Sequence, residues 1–131
     1  MKKIIKSDEE WKKQLSESEF LITRKKGTEP AFSGNNFDTT KKGLFRCVCC
    51  NASLFKSDTK FESNSGWPSF FESYSEESIT ELSDNSKGML RTEVLCSVCD
   101  SHLGHVFDDG PKPTGLRYCI NSLSLKFEEI E

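Results

Sequence analysis

The sequence has no long apolar run and no excess of basic residues. Residues 1–8 are basic but contain only two consecutive apolar side chains, far fewer than the core of a secretory signal requires. We therefore expect a cytoplasmic chain that makes no contact with a membrane. The 18 basic and 21 acidic side chains give a net charge of -3, which argues against nucleic acid as a partner.

The chain is also short. Its 131 residues provide material for one hydrophobic core, so we expect a single domain over 1–131 and a monomer. Within that domain the pattern changes from helical to β-type along the chain. The expected division is a helical amino-terminal segment over 1–30 and a β core over 40–131.

Two short helices are predicted at the start. Ser7 and Glu10 form the pattern of a capping box, which predicts a helix that begins near Asp8. A second helix is predicted to end at a run of cations before Gly27.

The rest of the chain predicts a mainly β fold, because short β-type runs alternate with turn-forming residues. The acidic stretch from Glu72 to Ser86 reads as a solvated hairpin. The predicted strands are Leu44–Val48, Ser53–Phe55, Ser78–Leu82, Met89–Val98, Gly104–Phe107, Leu116–Asn121 and Leu123–Glu129.

Four cysteines form two matched pairs with two residues between the members of each pair. In a reducing compartment, such cysteines are more often metal ligands or catalytic groups than disulfides. Two such pairs can surround one structural zinc ion tetrahedrally. The alternative, a thioredoxin-type redox pair, normally opens a helix, whereas both pairs lie among strands and turns. The predicted ligands are Cys47, Cys50, Cys96 and Cys99. Cys49 makes the first pair ambiguous, and its spacing favours a bystander.

The remaining cysteine is a candidate nucleophile. Strand alternation places Arg117, Cys119 and Asn121 on one face, and Tyr118 and Ile120 on the other. A neighbouring guanidinium favours the thiolate form of a cysteine, which is the nucleophilic form. The alternative is an inert buried side chain.

Two further features are candidate site residues. His102 and His105 are the only histidines, and each could be a metal ligand, a core residue or a proton donor at neutral pH. With four thiolates available to zinc, proton donation is the sharper interpretation. Trp67 lies in a glycine–proline turn, where it either fills the core or forms the wall of an apolar pocket.

Together these motifs resemble the B type of methionine sulfoxide reductase, the enzymes that act on the R epimer of methionine sulfoxide. The resemblance covers nearly the whole chain. It rests on the segments Phe45–Cys50, Thr59–Ser63, Gly66–Phe70, Arg91–Val94, His102–Pro111 and Gly115–Ser122.

The resemblance implies a fold, an activity and residue roles. The fold is two antiparallel sheets with short amino-terminal helices and a four-cysteine zinc site, one ion per chain, distant from the active site. Methionine R-sulfoxide in oxidised proteins or peptides is the implied substrate, reduced through a sulfenic acid on the catalytic cysteine. The implied site is Cys119 as nucleophile with Arg117 beside it, Trp67 and Phe107 against the substrate, and His102, His105 and Asn121 around the sulfoxide oxygen.

One position departs from a common family pattern. Ser65 stands where many relatives carry a cysteine that resolves the sulfenic acid as a disulfide. A thioredoxin-like dithiol or a small thiol that attacks directly is therefore the expected reductant.

Two other interpretations of the function remain open. One is a non-catalytic β module, held together by zinc, that binds a ligand, and the other is a protein that releases zinc when its ligand cysteines are oxidised.

Overall fold

The computed structural model of the protein describes residues 4–30, 41–61, 66–84 and 91–130. Helix α1 is Asp8–Gln14 and helix α2 is Glu17–Arg24. Both helices begin with a complete capping box, formed by Ser7 and Glu10 in α1 and by Ser16 and Glu19 in α2. Each box provides partners for two backbone amides that the first turn leaves free. Neither helix is long or apolar enough to cross a bilayer.

The strands of the described residues form two antiparallel sheets. The small sheet has the order β2-β1-β9 and the large sheet has the order β3-β4-β8-β7-β6-β5. The strands are β1 Gly43–Cys47, β2 Ser53–Lys56, β3 Lys60–Phe61, β4 Ser69–Phe70, β5 Ile79–Asp84, β6 Arg91–Cys96, β7 His102–Phe107, β8 Arg117–Ile120 and β9 Leu125–Glu129.

These sheets and helices confirm the predicted fold class. The prediction missed β3 and β4, which have two residues each and are too short to show alternation. The start of the last predicted strand, from Leu123, instead forms a 3-10 turn over Ser122–Ser124. Met89 lies outside the described residues. The extent of the single domain stays a prediction.

Aromatic side chains join the two sheets. Phe55 of β2 stacks on Phe70 of β4 with ring centroids 4.4 Å apart, and Phe45 of β1 meets the edge of Phe70 at 5.0 Å. Tyr118 of β8 packs against Phe55 at 5.6 Å. Such aromatic pairs stabilise beyond the area that they bury. This cluster lies on the face of β8 opposite Cys119, so it supports the strand that carries the candidate nucleophile.

Candidate active site and metal centre

Strand β8 places Cys119 between two neighbouring strands. Cys119 is opposite His105 in the register with β7 and opposite Ser69 in the register with β4. Directly paired residues point to the same face of an antiparallel sheet. The predicted alternation is observed, since Tyr118 and Ile120 are buried in the core while Cys119 is only partly buried.

A glycine allows β7 to pass close to this cysteine. A Cβ atom added to Gly104 would lie 2.0 Å from the carbonyl oxygen of Cys119, far inside van der Waals contact. Any side chain here would push β8 away from β7. Glycine is therefore required at position 104 for Cys119 to pair with His105 across the two strands.

Most of the predicted site residues surround one cavity of about 330 Å³. Its volume falls within the range of small-molecule sites. His102 is the exception, because it is almost fully buried and does not line the cavity. The predicted residues that line the cavity are Trp67, His105, Phe107, Arg117, Cys119 and Asn121, and the others are Thr28, Arg91, Gly104 and Ile120.

Arg117 is oriented by two neighbours. Its Nε and Nη2 donate to the carboxylate of Asp109 at 2.9 and 3.3 Å, and its guanidinium lies over the Phe107 ring, 4.5 Å from the centroid. The pKa of Arg117 is raised, first by the hydrogen bond to Asp109 and further by interaction with Cys119. The guanidinium therefore stays charged beside the sulfur.

His105 is held by a buried carboxylate. Its Nε2 lies 2.7 Å from Oδ2 of Asp84, which also contacts Nη2 of Arg91 at 3.5 Å. Since a carboxylate only accepts hydrogen bonds, Nε2 must carry the proton. Asp84 thereby sets both the orientation and the tautomer of the imidazole.

His102 makes a similar contact deeper in the protein. Its Nδ1 donates to Oε2 of Glu93 at 2.7 Å, and Lys26 reaches Oε1 of the same carboxylate at 3.0 Å. His102 is only 2% exposed, and burial, more than any other cause, lowers its pKa. Burial therefore favours the neutral ring, and the proton on Nδ1 is directed at Glu93.

Sequence reasoning missed the carboxylates that hold these histidines. Asp84 lies in the stretch predicted to be a solvated hairpin, and that prediction is wrong at this residue, which is 7% exposed. The middle of β5, residues 81–83, does face solvent, but its last residue contacts His105. Glu93 lies in the segment Arg91–Val94, on which the resemblance rests, but nothing in the sequence indicates its role. Thr28, in the loop after α2, belongs to no recognisable pattern.

The two cysteine pairs come together at one end of the sheets. The sulfurs of Cys47, Cys50, Cys96 and Cys99 all lie within 4.8 Å of one another. Cys47 and Cys99 are 3.7 Å apart, and Cys50 and Cys96 are 3.5 Å apart. Four sulfurs at zinc-bond length from a common centre are about 3.8 Å apart, so the spacing fits a tetrahedral ion.

Both pairs have the same turn geometry. The amide of Asn51 donates to the Cys47 carbonyl at 2.8 Å, and the amide of Asp100 donates to the Cys96 carbonyl at 2.8 Å. Asn51 and Asp100 have φ values of 69° and 60°, a left-handed conformation that Asn and Asp tolerate better than most residues. The turns direct both sulfurs of each pair to the same point.

Cys49 is not part of this cluster of four sulfurs. It is 5% exposed, and its carbonyl accepts a hydrogen bond from the side chain of Gln14 in α1. None of the six cysteines, all of which lie in the described residues, forms a disulfide.

A protein-family model and similar known proteins indicate the same family for this chain. The SelR domain model matches residues 15–129. The chain belongs to the B-type methionine sulfoxide reductase family. Relatives named peptide methionine sulfoxide reductase MsrB include one from Hahella chejuensis, 53% identical over 131 residues and covering 100% of this chain and 94% of the relative. One from Leptospira interrogans is 56% identical over 124 residues, covering 95% of both chains.

Membership in the B-type methionine sulfoxide reductase family confirms the resemblance drawn from the sequence. It also agrees with the four clustered cysteines, which are positioned to bind a metal ion. Relatives of similar length, such as the one from Herminiimonas arsenicoxydans, which is 54% identical over 126 residues and matched over 92% of its length, show that the chain corresponds to nearly the whole of those proteins.

Proposed function

We propose how this chain carries out the family reaction, the thiol-dependent reduction of methionine R-sulfoxide to methionine. The chain is an oxidoreductase, a peptide-methionine (R)-S-oxide reductase. The observation that carries the mechanism is the pairing of Cys119 with His105 on the wall of one cavity that also contains Trp67. Oxidised proteins or peptides are the proposed substrates, and the monomer is the proposed active form.

The substrate binds with its sulfur above Cys119. Trp67 and Phe107 provide apolar surface for the methyl group. Arg117 lies beside the thiol and favours its thiolate form. The thiolate attacks the sulfoxide sulfur and forms a sulfur–sulfur bond. The sulfoxide sulfur–oxygen bond breaks as the oxygen, with one added proton, passes to the sulfur of Cys119, and the sulfur–sulfur bond breaks in turn. Methionine leaves, reduced by two electrons, and Cys119 becomes a sulfenic acid, oxidised by two.

The sulfoxide oxygen needs a proton during this attack, since it is otherwise a poor leaving group. His105 is the proposed donor in its doubly protonated form: Asp84 accepts the Nε2 proton, the Nδ1 proton passes to the sulfoxide oxygen, and the ring returns to the Nε2-protonated tautomer that Asp84 holds. His102 is buried and committed to Glu93, and burial lowers its pKa. Its proposed role is to pack beside His105, whose ring centroid is 5.7 Å away.

Replacing the two histidines separately should therefore have different effects. We expect His105→Asn to lower the single-turnover rate of methionine formation by about a hundredfold or more, because a general acid contributes about 10²–10⁴-fold. His102→Asn should lower the melting temperature more and the rate less, because it breaks a buried hydrogen bond to Glu93. Rapid-quench kinetics and calorimetry measure both. Equal rate losses for the two variants would contradict this assignment.

Zinc is the proposed metal, and the residues that would hold it are Cys47, Cys50, Cys96 and Cys99. Four thiolates leave no open coordination position, so the ion would supply structural stability only. Hydrogen bonds that the Cys47 thiol donates to its neighbours, first to Cys49, raise the pKa of Cys47. Around a bound cation the four cysteines would be deprotonated despite that effect.

Recycling is proposed to use an external thiol. Ser65, the position of a possible resolving cysteine, lies outside the described residues, and serine cannot form a disulfide. Cys49 is buried against α1 beside the cluster of four sulfurs. A thioredoxin-like dithiol or a small thiol would reduce the sulfenic acid to thiol and water, and would itself become a disulfide.

Separated epimers test this proposal in one experiment. Reduced enzyme mixed with methionine R-sulfoxide, without reductant, should release close to one methionine per enzyme, and the S epimer should release none. Intact mass should show one added oxygen, and a sulfenic-acid probe should label Cys119.

The Ser65→Cys variant is the matched comparison, because an introduced thiol can attack the sulfenic acid. We expect its product to shift from sulfenic acid to a disulfide with Cys119. A Cys49–Cys119 disulfide in the unmodified protein would instead assign resolution to Cys49. Reduction of the S epimer at an equal rate would contradict the proposed substrate.

A further inference from the structure

Glu29 is a buried carboxylate to which the mechanism above assigns no role. It lies in the segment after α2 and is only 3% exposed. Its carboxylate accepts the Ser122 hydroxyl, at 2.8 Å from Oε2 and 3.1 Å from Oε1, and the Leu123 amide at 2.9 Å. Among the described residues it forms no ion pair. Burying a carboxylate without a cation is costly, so packing alone does not explain its presence.

The backbone of Glu29 contacts two residues of the cavity. Its amide donates to Oδ1 of Asn121 at 3.1 Å, and its carbonyl accepts Nε1 of Trp67 at 2.8 Å. Nδ2 of Asn121 donates to the Leu103 carbonyl at 3.1 Å. The Glu29 backbone thus fixes which way the Asn121 amide faces and holds the edge of the Trp67 ring.

These two sets of contacts connect segments that are far apart in sequence. The carboxylate ties the loop after α2 to the turn that follows β8, and hydrogen bonds to a charged acceptor are stronger than neutral ones. With the loop held there, its main chain meets Asn121 and Trp67, and neighbouring Thr28 forms part of the cavity wall.

We propose that Glu29 is a positioning residue for the reductase step, acting through Asn121 and Trp67. This inference rests on the proposed function of the cavity. The carboxylate itself does not touch substrate. Its effect is to keep the indole against the substrate methyl and the amide beside the sulfoxide oxygen, where a displacement of about 1 Å can cost about a hundredfold in rate.

Three variants test the role of Glu29. Glu29→Ala removes the anchor, and we expect kcat/KM for methionine R-sulfoxide to fall about tenfold to a hundredfold. Glu29→Gln keeps one oxygen acceptor for the Leu123 amide and should recover activity to within about threefold of the original, since the Ser122 hydroxyl can reverse its bond. Ser122→Ala, which removes one donor, should give an intermediate loss and remains informative if Glu29→Ala does not fold.

Thr59→Val is the matched control for general destabilisation. Thr59 is also buried, and its hydroxyl donates to the Lys56 and Glu72 carbonyls away from the cavity. We expect this variant to lower the melting temperature while leaving kcat/KM unchanged. The proposal would be overturned if kcat/KM fell in proportion to the melting temperature in Thr59→Val as well as in the Glu29 variants.

Trp67 fluorescence gives a readout that does not depend on the reaction. The chain has two tryptophans, so a Trp11→Phe background makes Trp67 the sole emitter. We expect Glu29→Ala to shift its emission to longer wavelength, because an indole released from the Glu29 carbonyl becomes more exposed to water. An unchanged spectrum together with unchanged kcat/KM would refute the positioning role. If the unmodified protein reduced neither epimer, the proposed function would fail, while the emission shift would still test the placement of Trp67.

Discussion

Replacing Cys119 by Ser is expected to lower the reduction of methionine R-sulfoxide by at least about a thousandfold, as losses of nucleophiles in other enzymes do. A serine hydroxyl is a far weaker nucleophile at neutral pH than a thiolate, and it cannot form a sulfenic acid. Metal content and melting temperature should not change, because Cys119 lies in the cavity, apart from the four clustered sulfurs. Methionine release, metal analysis and calorimetry measure the three quantities.

Cys49→Ser is the matched control, because it removes a thiol that belongs to neither the cavity nor the four-sulfur cluster. We expect it to keep most of the activity and a full complement of metal. Thiol labelling of the metal-loaded protein should likewise find one fast cysteine, Cys119. If Cys119→Ser retained most of the turnover and Cys49→Ser lost it, the nucleophile would have been assigned to the wrong residue.

The fold was predictable where a pattern is complete within one local stretch of the chain. Alternating strands and turns indicated the β core, and a serine–glutamate pair indicated α1, because both signals lie within a few consecutive residues. Strands β3 and β4 were not predictable in this way. Each has two residues, and each is a strand only because a neighbour supplies its hydrogen bonds.

The candidate site was predictable on the strand that carries the proposed nucleophile. Arg117, Cys119 and Asn121 share a face by simple alternation, and they line the same cavity. The carboxylates that orient the histidines were not predictable, because they come from other strands. Asp84 ends β5 and reaches His105 on β7 across the intervening β6, a contact that no local pattern encodes.

The two histidines also cannot be distinguished without the three-dimensional structure. In the sequence they are two residues of the same type, three positions apart. In the fold His102 is buried and does not line the cavity, whereas His105 does. Burial therefore separates the two imidazoles, and under the proposed mechanism only His105 meets the substrate. The cysteine pairs needed no such information, because each is a local turn that directs both of its sulfurs to one point.

Removal of the metal is expected to unfold the protein. Cys47 ends β1 in the small sheet, whereas Cys96 ends β6 in the large sheet, so an ion bound by both pairs holds the two sheets together. Structural zinc contributes about 10–16 kcal/mol in small zinc domains, as much as the whole stability of a typical domain, about 5–15 kcal/mol. Chelation, or Cys96→Ser, should therefore abolish cooperative melting and, with it, activity.

Cys49→Ser separates loss of a ligand from loss of any thiol near the cluster. This variant changes the neighbour of Cys50 but leaves all four clustered sulfurs, so we expect one zinc per chain and a melting transition close to that of the original. Circular dichroism and metal analysis of both variants make the comparison. Without the cation the four sulfurs lose the metal bonds that connect the two sheets, which is why the fold should not persist. A chelated protein that still melts cooperatively at the original temperature would show that the ion is dispensable and that aromatic packing alone joins the sheets.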